Sequence, residues 1–441
     1  MASAECGVRS AEWIFRTPNS PGPSLDVAGA GEFRTALVFG INMKWIEGGV
    51  TAARGFMASG VSAGIKRSRK PDLALVFSER PVTAAGIFTT NRLQAAPVQI
   101  SRRRLRRGFT RAVLINSGCA NCLTGRPGFE DALAVSRTLA QGLRIHERDV
   151  LVASTGIIGR RLPIPRIHRA IPQLISQLGR TQHHVAAQAI LTTDLHVKET
   201  AVQALIGGRV CRVGGMAKGA GMIAPSMATM LCVLTTDATT SPALLRALLR
   251  DATKRTFNQI SVDADMSTND TVFVLASGRS GVRVRPDTSS ERIFTQMLET
   301  VMMRLAQLIV QDGEGATRTL EIHVLGARTT REAQACARQV ACSPLVKTML
   351  AGGDPNVGRL AAAVGSSAAY FDPGQLEIAI GSQRVVAQGV AQRLGKAVSR
   401  TLLAHPHVTA RIHLHAGRAE GRMLTCDLTE EYVRINARYS T

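Results

Sequence analysis

Thr229 lies in the stretch GGMAKGAGMIAPSMATMLCVLTTDA, Gly214 to Ala238. Behind it stand glycines, alanines and one lysine, Lys218; ahead of it is a strand-like apolar run. A threonine hydroxyl is a poor nucleophile unless a base takes its proton. Two further stretches, NSGCANCLTG (Asn116 to Gly125) and STGIIG (Ser154 to Gly159), put hydroxyls and glycine N–H groups at strand ends. Backbone donors so placed can point at one oxygen that gains negative charge. The same residue types dominate ordinary turns, so either stretch alone reads equally as a turn. IVQDGEGAT (Ile309 to Thr317) sets Asp312 and Glu314 in a glycine-rich loop, and STNDTV (Ser267 to Val272) is similarly polar. By themselves both read as solvated loops. No P-loop of the form GxxxxGK[ST] occurs, GGDPNVGRL is not a dinucleotide fingerprint, and no nucleophile-elbow serine is read from the chain. That leaves a nucleophile of a less usual kind.

The elements that must position these residues alternate between strand and helix from Asp72 onward. LALVF and TAAGIFTT are expected to flank a turn at Arg80-Pro81, while AVLINSG and DVLVASTGIIG read as strands running into glycine turns. EDALAVSRTLAQGLRI has helical spacing, and HHVAAQAIL reads as a helix. Alternation on both sides of Gly207-Gly208 predicts a hairpin. MLCVLTTDA and DTVFVLASG read as strands. PALLRALLRDATKRTF, with proline near its start, and ERIFTQMLETVMMRLAQLIV read as helices. TREA opens another helix, with an acidic residue in its first turn. LEIAIG, VTARIHLHAG, RMLTCDL and YVRINARY are expected to close the chain as short strands. The class is mixed α/β, with layered sheets sandwiched with helices rather than one parallel sheet.

Hydrophobic residues make up 45% and charged residues 20% of 441 residues, a balance that suits a globular chain with a large core. Aromatics are only 4%, so that core is aliphatic. The longest apolar runs are strand-sized, which points to a soluble protein with no membrane partner. Net charge is +22, and SRRRLRRGFTR (Ser101 to Arg111) is one basic cluster. Phe109 is its only aromatic, so a solvated amphipathic surface is favoured over a nucleic-acid partner. Eight scattered cysteines imply no disulfide framework, and the lone Cys119-Ala-Asn-Cys122 lacks the second pair that a zinc site needs. Residues 1–42 include a Pro/Gly/Ser-rich stretch and carry neither a signal-peptide core nor transit-peptide character, so an unstructured extension or an over-extended start ahead of Met43 is expected.

Taken together, KGAGMIAPSMATMLCVLTTDA resembles the glutamate N-acetyltransferase/ornithine acetyltransferase family of arginine biosynthesis. The mark of that family is a lysine-glycine segment, then Met-Ala-Thr-Met-Leu, then Thr-Asp-Ala, at this spacing. The agreement also includes GGVTAARGFMASGVSAGIK, AAGIFTTNRLQAAPV, STGIIG, LTTD, VDADMSTNDTV, VQDGEGATR, GGDPNVGRL and the terminal YVRINARYST. The resemblance implies a self-processing fold with an N-terminal threonine nucleophile. The bond between Ala228 and Thr229 is cut by the protein itself, giving an α chain that ends at Ala228 (43–228 beyond the extension) and a β chain of 229–441. The new amine of Thr229 then serves as base for its own hydroxyl; an α-amino group titrates at about 7.7–8.0.

The resemblance further implies acetyl transfer from N2-acetylornithine to glutamate through an acetyl-Thr229 intermediate. Thr155 and Gly156 match the family's oxyanion pair, and Thr192, Lys218, Thr229, Glu314, Asn436 and Thr441 match its substrate-binding residues. By charge, Lys218 suits a carboxylate and Glu314 an amine. No bound cofactor or metal is implied, although some members also take acetyl-CoA as co-substrate. An α2β2 assembly in the cytoplasm is expected. Cys119 and Ser226 stand where the family commonly has asparagine, and Val357 where it has tryptophan. An amidohydrolase or aminopeptidase that passes the acyl group to water is the alternative reading of the same nucleophile.

Overall fold

The computed structural model describes residues 35–38, 41–224, 230–395, 398 and 401–438. Its strands, in chain order, are β1 (Thr35–Val38), β2 (Ile41–Ile46), β3 (Met57–Val61), β4 (Leu73–Phe88), β5 (Phe109–Cys119), β6 (Val150–Ile157), β7 (Lys198–Ile206), β8 (Arg209–Lys218), β9 (Leu231–Thr236), β10 (Ile260–Ser261) and β11 (Thr271–Ala276), followed by β12 (Thr319–Ala327), β13 (Glu377–Ile380), β14 (Gln383–Ala387), β15 (Val390–Ala391), β16 (His407–His413) and β17 (Ala419–Cys426). The first sheet runs β1-β2-β7-β8-β9-β11-β4-β5-β6, with β3 paired to β4. Among the described residues, only β9 with β11 and β5 with β6 are parallel in it. The second runs β10-β17-β12-β16-β13-β14-β15.

The centre of the first sheet is buried on both faces. Every residue of β9 and β11 is buried, as an unbroken apolar run predicts for a strand covered on both sides. Alternation sorts the side chains: Cys232 and Leu234 face one core, Leu231 and Val233 the other. The first of these cores is completed by α5 (Pro242–Arg255) and α6 (Ser289–Gln311), the second by the segment around Phe56 and α4 (His183–Ala189). α2 (Gly125–Leu143) and α3 (Ile164–Ser176) cover β4 to β6 through Leu139, Ile167 and Leu174. α6 is long and apolar enough to cross a bilayer. Instead Phe294, Leu298, Val301, Leu305 and Ile309 recur on one face and are fully buried against β7 and β8. The second sheet packs on α7 (Thr330–Ala341), which lies on β12 and β17 and is backed by α8 (Pro344–Gly352) and α9 (Val357–Gly365).

The local readings hold at most elements. Gly207 and Gly208 both have positive φ, 57° and 76°, and join β7 to β8. Ser241 caps α5 and Thr329 caps α7, each accepting an N–H three residues on. Three expectations need correction. Arg80-Pro81 is no turn: β4 runs straight through it, exposed at Glu79 to Pro81, and its register against β5 shifts between Phe77 and Val82. A bulge is where a strand tolerates proline. YVRINARY is not a strand but part of a terminal helix, Glu430–Ala437. Glu430 and Glu431 suit its first turn, and tertiary hydrogen bonds from Tyr432 and Asn436 outweigh the β propensity of Val433 and Ile435. Ordered chain also begins ahead of residue 42, since Thr35–Val38 pairs with Ile41–Lys44.

The arginine cluster is mostly a surface feature, with Arg102, Arg103, Arg106 and Arg107 exposed and Arg104 and Arg111 half-buried. α1 (Ala96–Arg104) ends in it, and Arg104 donates to the Val150 carbonyl at 2.6 Å, Ser136 Oγ at 3.0 Å and Glu147 at 2.8 Å. Arg107 pairs with Asp149 at 2.8 Å, and the Arg102 guanidinium lies 5.2 Å from the Phe88 ring centroid.

Candidate active site

Ala228, Thr229, Ser226 and Thr441 lie outside the described residues. The site is therefore built from the groups that flank them. On one side the loop after β8 ends at Met222 and Ile223, whose N–H groups donate to the two oxygens of Asp263 at 2.6 and 2.8 Å. On the other, the Met230 N–H donates to Asp270 Oδ1 at 3.0 Å and β9 begins. The described residues on either side of segment 225–229 are thus each held by a carboxylate anchor.

Three groups of expected residues surround these anchors. The first is the turn of Thr155 and Gly156. Parallel pairing sets Gly118 of β5 beside Gly156 of β6. Gly156 has φ +127°, and a Cβ there would run into the Gly118 backbone, so glycine is required on both conformational and steric grounds. Asn116 ties the turn together, its amide donating to the Cys119 carbonyl at 2.8 Å while its oxygen accepts from Ser154. The Cys119 thiol is turned toward the Arg160 carbonyl at 3.3 Å and packs in the core beside α2. Burial raises its pKa.

The second group is Thr192 and Lys218, gathered by Asp194. Asp194 Oδ2 accepts the Thr192 N–H at 2.9 Å and lies 3.8 Å from Lys218 Nζ. Its other oxygen accepts Lys198 Nζ and the Gly219 N–H, both at 2.7 Å. Burial works against the Asp194 charge, yet Lys218 and Lys198 hold its carboxyl well below the usual carboxylate range. Burial likewise weakens the Lys218 charge, with Asp194 opposing. Lys218 is 3% exposed, and 3.8 Å is too long for a hydrogen bond, so among the described residues this ammonium has no hydrogen-bonded acceptor.

The third is Glu314 with Asn436. The Glu314 N–H donates to the Ala220 carbonyl at 2.8 Å, and Asn436 Nδ2 donates to Glu314 Oε2 at 2.7 Å. A Cβ on Gly221 would stand 2.5 Å from the Glu314 carboxyl carbon. The glycine therefore lets the loop after Lys218 pass directly over this carboxylate. The terminal helix is locked to the loop that carries Glu314, Thr429 Oγ1 donating to the Gly315 carbonyl at 2.7 Å.

Sequence reasoning missed the residues that hold these groups in place. Asp312 and the Ser267–Asp270 stretch, read as solvated loops, are buried. Asp312 accepts the Leu195 and His196 N–H groups at 3.0 and 3.2 Å and pairs with Lys198. Asn269 donates to the Ala120 carbonyl at 2.7 Å and the Ser154 carbonyl at 2.8 Å, joining the start of β11 to the turn of Thr155 and Gly156. A buried amide or carboxylate cannot be told from a solvated one by composition, and no spacing signal marked these. The nucleophile-elbow pattern is in fact spelled once, by Gly60 to Gly64, but Ser62 is an exposed loop residue after β3 with no helix following. Val357 opens α9, in the core of the second sheet.

A mixed α/β fold with a close-packed glycine turn, a buried lysine and a carboxylate–amide pair suits an acyl-transfer class of protein. Within that class the chain belongs to the ArgJ family, whose model matches residues 57–441. It is 45% identical over 405 residues to the arginine biosynthesis bifunctional protein ArgJ of Gloeobacter violaceus, covering 91% of this chain and all of the relative. The chloroplastic ArgJ of Oryza sativa subsp. indica is 43% identical over 444 residues, covering 97% of this chain and 95% of the relative. Among solved structures, ornithine acetyltransferase of Mycobacterium tuberculosis complexed with ornithine is 41% identical, covering 42% of this chain and 99% of that one, at a TM-score of 0.39.

Proposed function

We propose that the chain moves an acetyl group from N2-acetylornithine to glutamate by a ping-pong reaction on Thr229, releasing ornithine and N-acetylglutamate for arginine biosynthesis. The observation that carries this reading is the convergence of three separate groups on the two anchors of segment 225–229. Thr155–Gly156 comes from β6, Thr192 and Lys218 meet at Asp194, and Glu314–Asn436 sits under Gly221. These are the residues that reading the donor, the acceptor and the oxyanion requires.

The Thr229 hydroxyl first attacks the Ala228 carbonyl. The C–N bond breaks, and water hydrolyses the ester, leaving Thr229 with a free amine. That amine takes the hydroxyl proton when Thr229 attacks the acetyl carbonyl of the donor. The Gly156 turn stabilises the tetrahedral oxyanion, and ornithine leaves with the proton. Glutamate attacks the acetyl-enzyme by the same steps in reverse. Lys218 takes the α-carboxylate common to both amino acids, and Glu314 takes the ornithine amine. Acetyl-CoA is a second donor of the same acyl group, and two α and two β chains form the working assembly.

Denaturing electrophoresis with N-terminal sequencing tests the cut: two bands are expected, the smaller beginning Thr-Met-Leu-Cys. Acetate release without N-acetylglutamate formation, in an assay with both substrates, would convert the reading to an amidohydrolase.

A further inference from the structure

An open cleft of about 390 Å³ is lined by Gly86 and Phe88 of β4, Arg102 of α1, Leu105 and Arg106 just after it, and Arg246 of α5. A Cβ on Gly86 would stand 2.6 Å from Leu105 Cδ1, so glycine lets the turn after α1 settle on the strand. Three exposed guanidiniums then share one concave surface that no carboxylate lines. Among the described residues none of the three forms an ion pair. Arg104 and Arg107, from the same stretch but outside the cleft, each meet an acid at 2.8 Å, Glu147 and Asp149. The basic cluster is therefore divided into a neutralised part and an uncompensated part. Arg102 is also held in place. It donates to Gln94 Oε1 at 2.7 Å and the Thr89 carbonyl at 3.3 Å, and lies 5.2 Å from the Phe88 ring centroid. Both acceptors are neutral, and a guanidinium has more donors than those two bonds use. Like charges gathered on a concave wall focus a positive potential. Guanidinium forks match the oxygens of a phosphate group two at a time.

The cleft stands at a particular end of the first sheet. Phe88 pairs with Thr271, Thr271 with Leu231, and Leu231 with Lys218. Each of these residues is the first or last of its strand, so all four mark one end of the sheet. Neighbouring strands lie about 4.8 Å apart, which puts Lys218 about 14 Å along that end from Phe88. We propose that this cleft holds the phosphate groups of a small molecule carrying two or more phosphates. A nucleoside polyphosphate and a coenzyme A thioester share that chemistry, and only the second carries a long acyl-bearing arm beyond its phosphates. The thioester as source rests on the proposed use of acetyl-CoA; the anion site itself does not.

Titration calorimetry on the purified full-length protein tests this with pyrophosphate, ATP and coenzyme A in turn. Salt is held at about 0.15 M, where exposed charges more than about 8 Å apart are screened. Expected is binding by wild type that weakens at least roughly tenfold in Arg106→Gln/Arg246→Gln. Arg384→Gln/Arg411→Gln removes the same charge from exposed positions on the second sheet, and should change affinity less than about twofold. Tighter binding of ATP than of coenzyme A makes the source a nucleotide, the reverse makes it the thioester, and the site stands in both cases. Equal binding by wild type and the cleft variant, equal losses in the two double variants, or no binding of any of the three molecules by wild type overturns the proposal. Both cleft side chains are exposed, so the variant should melt close to wild type. If it does not fold, each single substitution decides, with a loss of roughly threefold or more expected and none overturning the proposal. Binding is read without turnover, so a failure of acetyl transfer is seen separately from a failure of this site.

Discussion

The two sheets differ in how they use the chain. The second is made wholly of residues after Thr229, from β10 to β17, around the single core of α7 to α9. The first interleaves both sides of the proposed cut. β9 and β11, from after it, are inserted between β8 and β4, from before it. β8 and β9 pair through six residues, from Val213–Thr236 to Lys218–Leu231. α6 closes over β7 and β8 from beyond the cut. A break after residue 228 therefore leaves two chains that share one sheet and one core, and separating them would expose the fully buried strands β9 and β11. The contrast teaches where chemistry is affordable. The sheet that spans the proposed break holds Thr155, Gly156 and Lys218, while Thr192, Glu314 and Asn436 come from loops and the terminal helix, and the second sheet supports the first from the side through β10 and Cys426.

That contrast can be broken by substitution. Thr229→Ala is expected to run as one uncut band on denaturing electrophoresis and to lose at least about 10⁴-fold in acetyl transfer, since a nucleophile acts as a unit with its base. Gly156→Ala comes next. A Cβ forced against Gly118 at φ +127° displaces the turn, and loss of such a donor raises the barrier by about 3–4 kcal/mol. Steady-state kinetics should show this in kcat, with the melting temperature moving far less. Glu314→Gln keeps the Asn436 hydrogen bond but removes a charge, so the KM for acetylornithine should rise roughly tenfold, about 1.4 kcal/mol, with a smaller change for glutamate.

Ile322→Ala, on β12 in the second core, is the opposite case. It should cost about 2–5 kcal/mol in denaturant unfolding, yet leave turnover per folded molecule unchanged. A large turnover loss there would erase the distinction between the sheets. The smallest effect is at Lys66, whose stem lies against Gly118. Burial lowers its pKa from 10.5 to about 8, with Asp72 and Asp194 opposing. Between those values the unfolded chain binds the extra proton, so stability gains with rising pH. Lys66→Met removes that gain, and the melting-temperature difference between variant and wild type should drift in favour of wild type from pH 8 to 10.5.

Much of the site was legible because its residues are chained to glycine turns and to a strand whose spelling is distinctive. Lys218, Gly219 and Gly221 could be read as a close-packed approach to Thr229, and the strands β8 and β9 on either side followed from their apolar patterns. Asp194, Asp263, Asn269 and Asp270 could not. Each acts through bonds to backbone far away in sequence, such as Asn269 to Ala120, or Asp263 to Met222. Polar residues that fix a turn by such bonds look identical in sequence to residues facing water. Tyr432 to Asn436 misled for the related reason that partners across the fold, Asp263 and Glu314, set their conformation.

By itself, then, the order of residues determined the mixed class, the hairpin at Gly207-Gly208, the helices with their caps, and membership of a family marked around Thr229. These rest on local sterics and on burial period, which act within a few residues. Only the tertiary structure decided that β9 and β11 enter between β8 and β4, and that two carboxylates, the half-buried Asp263 and the buried Asp270, hold the residues flanking segment 225–229. Those outcomes depend on which distant N–H groups and ammonium ions a carboxylate meets once water is excluded, and no local pattern encodes that meeting.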